Sequence, residues 1–306
     1  MQHIAILGEI GVGNLGDDLG YLLLKREIEK NFEKRGKFCQ VDYLRTSRFS
    51  ELNYIGYSAV VLGAGTLLDA ANGDYIQAIH KAQERGILTA ILGTGISDKR
   101  HIPDTEDGKK LLTKIIEKAK NVYFRGVDGP DLLWVLGNHE YDGPKEGVGF
   151  NLGFAAYSTI DLVKIHEQIK AVKLFLEAQG IKTSWVSCWD RDNDLMDEPS
   201  IMVDGSRKSL EELSKLKAIV PFRGHLGTVA ACCGVRVYPV CYSQKIKPMY
   251  EGVIEPEWLE CEGKKWTQIV SDTWHLPVDY KPNIEKAQQE VKKQSEDFAG
   301  NLAEGR

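Results

Sequence analysis

Long apolar runs are missing from this 306-residue chain. None approaches the roughly 18 residues needed to cross a bilayer. The clearest runs, Ala59 to Leu62 and Ala218 to Val220, have the length of core strands. Met1 to Gly8 lacks the basic segment and the longer apolar core of a secretory signal. The six cysteines, Cys39, Cys188, Cys232, Cys233, Cys241 and Cys261, form no CxxC pair, and no Cys/His cluster has zinc spacing. A disulfide-stapled scaffold is therefore excluded, and no metal is expected. No Lys/Arg stripe stands out, and 39 basic against 44 acidic residues give a net charge of -5, which argues against a dedicated nucleic-acid binder. Internal repeats and low-complexity tracts are absent. These absences lead us to expect a reduced cytoplasmic protein, at most peripheral to the inner face of a membrane.

What is present is ordinary for a globular protein, with 42% apolar and 27% charged residues. At about 150 residues per domain, the length suggests two domains. Short apolar segments alternate with segments of helical period. His3–Leu7, Val41–Leu44, Ala59–Leu62, Leu88–Leu92 and Asn121–Phe124 read as strands, with helices at 15–35, 74–85, 108–120 and 128–136 between and after them. Several strands run straight into glycine. Residues 137–147 are polar and rich in turn formers, and the same pattern then restarts with strands at 148–152, 183–188, 218–221 and 235–240. The expected architecture is α/β: two Rossmann-like domains, 1–143 and 144–306, with a cleft between them and a charged terminal helix free to pack back on the first domain. Ligands in such sheets sit at the carboxyl ends of the strands.

Gly11-Val12-Gly13-Asn14-Leu15-Gly16 matches GxGxxG between a strand and a helix. Asp17 and Asp18 follow at once. They suit a helix N-terminus but would repel a pyrophosphate placed there. Two readings remain open: a glycine turn with Asp17 as helix cap, or a ligand loop in which Asn14, Asp17 and backbone N–H groups meet sugar hydroxyls. A nicotinamide oxidoreductase would rest on this motif alone.

The second constellation is Phe222-Arg223-Gly224-His225, which ends one strand and opens a helix. Arg223 offers a fork to a carboxylate or phosphate, and His225 can move a proton near neutral pH. Lys245, at the end of the next strand, is expected on the same edge, and Arg125 ends a strand of the first domain. Three cations and a histidine point to a small, multiply charged anion.

In this order the motifs resemble the polysaccharide pyruvyl transferase family. Gly11 to Asp18 fits its Gly-x-x-Asn-x-Gly-Asp-Glu loop. Gly63-Ala64-Gly65-Thr66-Leu67-Leu68-Asp69 fits its Gly-Gly-Gly-x-Leu-x-Asp, and Gly93-Thr94-Gly95-Ile96 its Gly-x-Gly-Ile turn. Phe124-Arg125-Gly126, Arg223-Gly224-His225, Ala230 to Val237 and Tyr242 to Lys245 follow in the family's order. The resemblance implies a GT-B-like fold, with no cofactor and phosphoenolpyruvate as donor substrate. It implies a saccharide acceptor, free or lipid-linked, and ketal pyruvylation of a surface polysaccharide precursor. In that scheme Arg223 and His225 are catalytic, Arg125 and Lys245 hold the donor, and Asn14, Asp17, Gly13, Gly65 and Gly95 line the substrate loops. The chain departs from the family at Gly126 for Asp, Gly224 for Leu, Ser97-Asp98 for Gly-Pro and Arg236 for Pro. Two rival readings share the fold: a GT-B glycosyltransferase using a nucleotide sugar, and a non-catalytic homologue that binds an anion or glycan.

Overall fold

The computed structural model describes residues 1–45, 56–65, 67–68, 73–95, 106–154, 161–261 and 265–304. Thr66, Asp69, Ile96, Ser97 and Asp98 of the sequence motifs lie outside them. The chain forms two compact units. The first comprises Met1–Val12, Gly16–Val135 and Ala287–Arg306, and the second Gly13–Leu15 and Leu136–Lys286.

In the first unit, strands β1 (Gln2–Leu7), β2 (Cys39–Leu44), β3 (Ala59–Leu62), β4 (Leu88–Thr94) and β5 (Asn121–Phe124) form a parallel sheet in the order β2-β1-β3-β4-β5. Its period-two burial builds two cores. Ile4 and Ile6 point to one face, against Tyr21, Leu24, Ile28 and Phe32 of α1 (Leu15–Glu33). Ala5 and Leu7 point to the other, against Tyr75, Ile76 and Ile79 of α2 (Gly73–Glu84) and Ile115 of α3 (Glu106–Lys118). Helices on both faces explain why β3 is apolar at every position.

In the second unit, β6 (Val148–Phe150), β7 (Thr183–Ser187), β8 (Ile201–Met202), β9 (Ala218–Val220) and β10 (Arg236–Val237) form a parallel sheet ordered β10-β9-β6-β7-β8. Helices α4 (Leu162–Ala178), α5 (Arg207–Ser214) and α6 (Gly224–Cys232) connect or flank these strands. α4 begins with Asp161 as its cap, whose carboxylate accepts the Lys164 N–H at 3.2 Å.

The apolar stretch 235–240 does not make one strand. Val240–Cys241 (β11) pairs with Leu259–Glu260 (β12), while the Val240 N–H still bonds the Pro221 carbonyl just after β9 at 3.3 Å. Tyr238 donates its N–H to Ile219 and Val240 to Pro221, so Pro239 falls where an N–H would face away from β9, and its carbonyl accepts the Leu259 N–H at 3.0 Å. Lys245 therefore follows a strand that pairs with β12 and also bonds the chain just after β9. Helix α7 (Trp266–Thr273) has no counterpart in the sequence reading. The helix expected over 128–136 is a short 3-10 helix at Leu132–Leu136.

Helix α8 (Lys281–Ala303) ends the chain, and from Ala287 onward it belongs to the first unit. Val291, Phe298 and Leu302 join the α1-side core. Asp297 accepts the Tyr123 hydroxyl at 3.1 Å, and Asn301 donates to Asn121 at 3.1 Å. Among the described residues, no helix is long and apolar enough to cross a membrane.

Candidate functional site

Both sheets reverse their strand order once, between β1 and β3 and between β6 and β9. Connections diverge at such a point and leave a crevice beyond the carboxyl ends of the two strands.

On the first unit, β1 ends in Gly8 and β3 in Gly63. Gly11 and Gly13 both take φ +71, a left-handed conformation that strongly favours glycine. Asp18 reaches back from the first turn of α1 to accept the Gly11 N–H at 2.6 Å. The chain's own carboxylate thus takes a loop donor that a dinucleotide phosphate would need. Gly65, at φ +97, faces Asp17, whose Oδ1 would lie 2.9 Å from an added Cβ. Gly65 accepts the Gly95 N–H at 2.8 Å and the Thr94 hydroxyl at 3.2 Å. Asp17, Gly65 and Gly95 are therefore brought together. Gly13 and Asn14 belong to the second unit.

Arg125 also reaches this edge, but it points inward. Its Nη1 donates to Asp131 at 2.9 Å, with both side chains 3% exposed. The guanidinium fills the space that a Cβ on Gly95 would need. Asp131 also accepts the Leu133 N–H at 2.9 Å, so the pair pins the chain after β5. Gly126 has φ +73, and this explains glycine where the family carries Asp: the turn after Arg125 is left-handed. The acid partner is supplied six residues later instead.

On the second unit, β6 runs into Asn151 and Gly153, β7 into Cys188 and Trp189, and β9 into Phe222 and Arg223. Asn151 is fully buried and joins two of these ends: its Nδ2 donates to the Val186 carbonyl at 2.9 Å, and its Oδ1 accepts the Arg223 N–H at 3.0 Å. The Arg223 guanidinium makes a two-pronged pair with Asp192, Nε to Oδ2 and Nη2 to Oδ1, each at 2.7 Å. Asp192 is fully buried and also accepts the Phe154 N–H at 3.1 Å. The face of Arg223 lies over the Trp189 indole at 4.5 Å. No room is left for a side chain at position 153, where a Cβ would meet Arg223 Nε and Phe222 at 2.7 Å.

Phe222 stacks flat on Tyr242, with ring centres 4.1 Å apart, which brings the Tyr242–Lys245 segment to the β9 end. Lys245 Nζ lies 6.0 Å from the Tyr242 ring centre. His166 of α4 packs edge-on against Phe222, and its Nε2 lies 3.0 Å from the Gly153 carbonyl. Burial holds its pKa below the ordinary value, with Lys170 adding to the effect while the Gly153 bond and Asp192 oppose it. Burial pushes the Cys188 thiol up to about 12 despite nearby Arg223. His225 is half-buried in the first turn of α6, and that helix has no side-chain cap. A side chain at Gly224 would meet Met249, whose Sδ lies 2.5 Å from an added Cβ. Arg236, in place of Pro, donates its N–H to Lys217 at 3.0 Å and pairs its side chain with Glu257, neither of which proline could do.

Asp131, Asp192, Asn151 and His166 were not singled out from the sequence as site residues. Asp192 lies in a charged loop with Asp190, Arg191 and Asp194, and nothing in the sequence marks it as the buried one.

The two parallel sheets and their flanking helices define the GT-B fold, two Rossmann-like α/β units in one chain. The similar solved structures give that class its members. A UDP-GlcNAc 2-epimerase from Methanocaldococcus jannaschii, in complex with UDP-GlcNAc and UDP, matches with a TM-score of 0.60 at 11% identity, over 96% of this chain and 99% of that one. The glycosyltransferase of kitacinnamycin matches at 0.53 and 11% identity, over 99% and 98% of the two chains. CalG4, the calicheamicin glycosyltransferase, matches at 0.53 and 11%, over 100% and 98%. No protein family and no curated protein matches the chain in sequence.

These neighbours overturn pyruvyl transfer from phosphoenolpyruvate as the function: they are nucleotide-sugar epimerases and GT-B glycosyltransferases. Of the three cations expected to neutralise that donor, Arg125 is buried against Asp131 and Arg223 is paired with Asp192.

Proposed function

We propose that this chain acts on a nucleotide sugar, as a GT-B glycosyltransferase. The observation that carries the reading is the match over nearly the whole chain to enzymes whose names specify UDP-GlcNAc or glycosyl transfer. The second-unit edge offers suitable chemistry. Arg223 keeps N–H donors beyond its pair with Asp192, His225 opens the helix that follows it, and Lys245 lies in the segment that Tyr242 ties to the β9 end. Such donors suit the charge that builds on a departing diphosphate as the bond from sugar carbon to oxygen breaks. In this reading Asp17 serves the acceptor hydroxyl on the first unit, where Gly65, Gly95 and Arg125 build the scaffold around it.

A second reading, epimerisation at C2 of the bound sugar, is favoured by the 0.60 match to the 2-epimerase. One experiment separates them. UDP-GlcNAc and other nucleotide sugars are titrated against thermal stability, with phosphoenolpyruvate as control. A ligand at about 100 times its Kd stabilises by about 2.7 kcal/mol. The bound nucleotide sugar is then followed by proton NMR. Release of the nucleoside diphosphate on adding saccharide acceptors supports transfer, and inversion at C2 without acceptor supports epimerisation. Absence of any shift with nucleotide sugars overturns both.

A further inference from the structure

Arg223 is held on two sides at once. In the plane of the guanidinium, Asp192 takes one edge with two bonds of 2.7 Å. Across the face, Trp189 stacks at 4.5 Å. Trp189 is itself tied down: its carbonyl accepts the Asp192 N–H at 2.9 Å and the Ser187 hydroxyl at 3.2 Å. At the backbone, Asn151 fixes the Arg223 N–H. A guanidinium carries five N–H donors. Asp192 uses two, and three remain on Nη1 and Nη2. The Arg223 side chain is 14% exposed, whereas Asp192 is fully buried, so the pair meets solvent on the arginine side only.

We propose that Trp189 and Asp192 are positioning residues that fix Arg223 as a pre-oriented donor for one oxyanion of a phosphoryl group. An arginine free to sample its rotamers must be ordered when a ligand arrives, and holding it beforehand removes that cost. A fork already committed on one edge has one direction left to offer. The buried carboxylate therefore sets direction and is not simply a counter-charge that cancels the arginine. This deepens the nucleotide-sugar reading, because the diphosphate is the group that would occupy those donors.

The test is calorimetric titration of the full chain with inorganic pyrophosphate, UDP and UDP-GlcNAc. The variants are Trp189→Phe, Trp189→Ala, Arg223→Lys and Asp192→Asn, each checked for folding by thermal melt. Expected are weakening of about fivefold or more for pyrophosphate and UDP in Trp189→Ala and Arg223→Lys, and recovery to within about threefold of wild type in Trp189→Phe, which keeps an aromatic face. Asp192→Asn separates the two roles. Positioning predicts weaker pyrophosphate binding, whereas simple cancellation of charge predicts tighter binding. Should Asp192→Asn fail to fold, the Trp189 pair decides alone. Wild-type affinity in Trp189→Ala, tighter binding in Asp192→Asn, or no binding of pyrophosphate and UDP by the wild type overturns the inference. Trp189-dependent binding of pyrophosphate without binding of UDP-GlcNAc sustains it while overturning the nucleotide-sugar reading.

Discussion

Asp131 lies 2.9 Å from Arg125 across a turn of six residues, and both side chains are removed from water. The pair sits directly beneath Gly95, so one ion pair supports the glycine edge of the first sheet. Its energetic signature is asymmetric. A buried pair adds little over apolar packing, but removing one partner strands a charge, at a cost of about 3–5 kcal/mol. We expect Asp131→Ala to lower unfolding free energy by that amount in urea. The double variant Arg125→Met, Asp131→Leu should recover most of it. Equal losses in the single and double variants would place the effect elsewhere.

Gly224→Ala should destabilise by about 1–3 kcal/mol, because a Cβ there meets the Met249 sulfur. Adding Met249→Ala should lessen the Gly224→Ala effect, since it opens the space that the new methyl needs. A double-mutant cycle in urea measures this coupling. Simple additivity of the two losses would contradict the packing account.

Arg236→Pro removes the N–H that bonds Lys217 and strips Glu257 of its partner. A loss of about 3 kcal/mol or more is expected in the same measurement. A stable Arg236→Pro variant would mean that the β10 ladder bond contributes nothing.

The pH dependence follows from His166. Its folded pKa is depressed by burial, so folding favours the neutral ring. The unfolded chain takes up the proton first as pH falls below about 6.5, the ordinary histidine value. His166 therefore contributes stability that is present above that pH and fades as pH falls through the folded pKa. His166→Gln keeps a donor for the Gly153 carbonyl and should flatten the slope of Tm against pH between 7 and 5. An unchanged slope would assign the loss to other groups.

Thiol labelling tests the interior of the second unit. Burial pushes Cys188 and Cys233 up to about 12. Both should resist alkylation at pH 8 in the native protein and react on unfolding, as read by mass spectrometry. Rapid native modification of either would contradict their burial.

Much of the secondary structure was legible from the chain because period-two and period-3.6 apolar patterns each have one physical solution. Ala59–Leu62, with no polar residue, could only be a strand covered on both faces, and the glycines after Leu7, Leu62 and Leu92 marked the carboxyl edge. The pattern failed at 235–240, where one apolar run is divided between two pairings, Arg236–Val237 with β9 and Val240–Cys241 with β12. At Arg125 the sequence showed a cation at a strand end and no acid next to it, and so suggested a ligand. A partner six residues away is visible only once the turn at Gly126 folds back. Arg223 is the stronger case, since its carboxylate is supplied by the loop after a different strand, 31 residues earlier.

The sequence by itself determined that alternating strands and helices would form parallel sheets with glycine at their carboxyl edge. Those properties depend on neighbours within a few residues, through periodicity, propensity and turn chemistry. Only the tertiary structure decided the order of the strands, and with it which loops meet at the reversal between β6 and β9. It also decided which charges are spent on each other. Burial and long-range pairing depend on residues far apart in the chain, so the same arginines that read as anion anchors along the sequence became, in the fold, a buried strut at Arg125 and a held donor at Arg223.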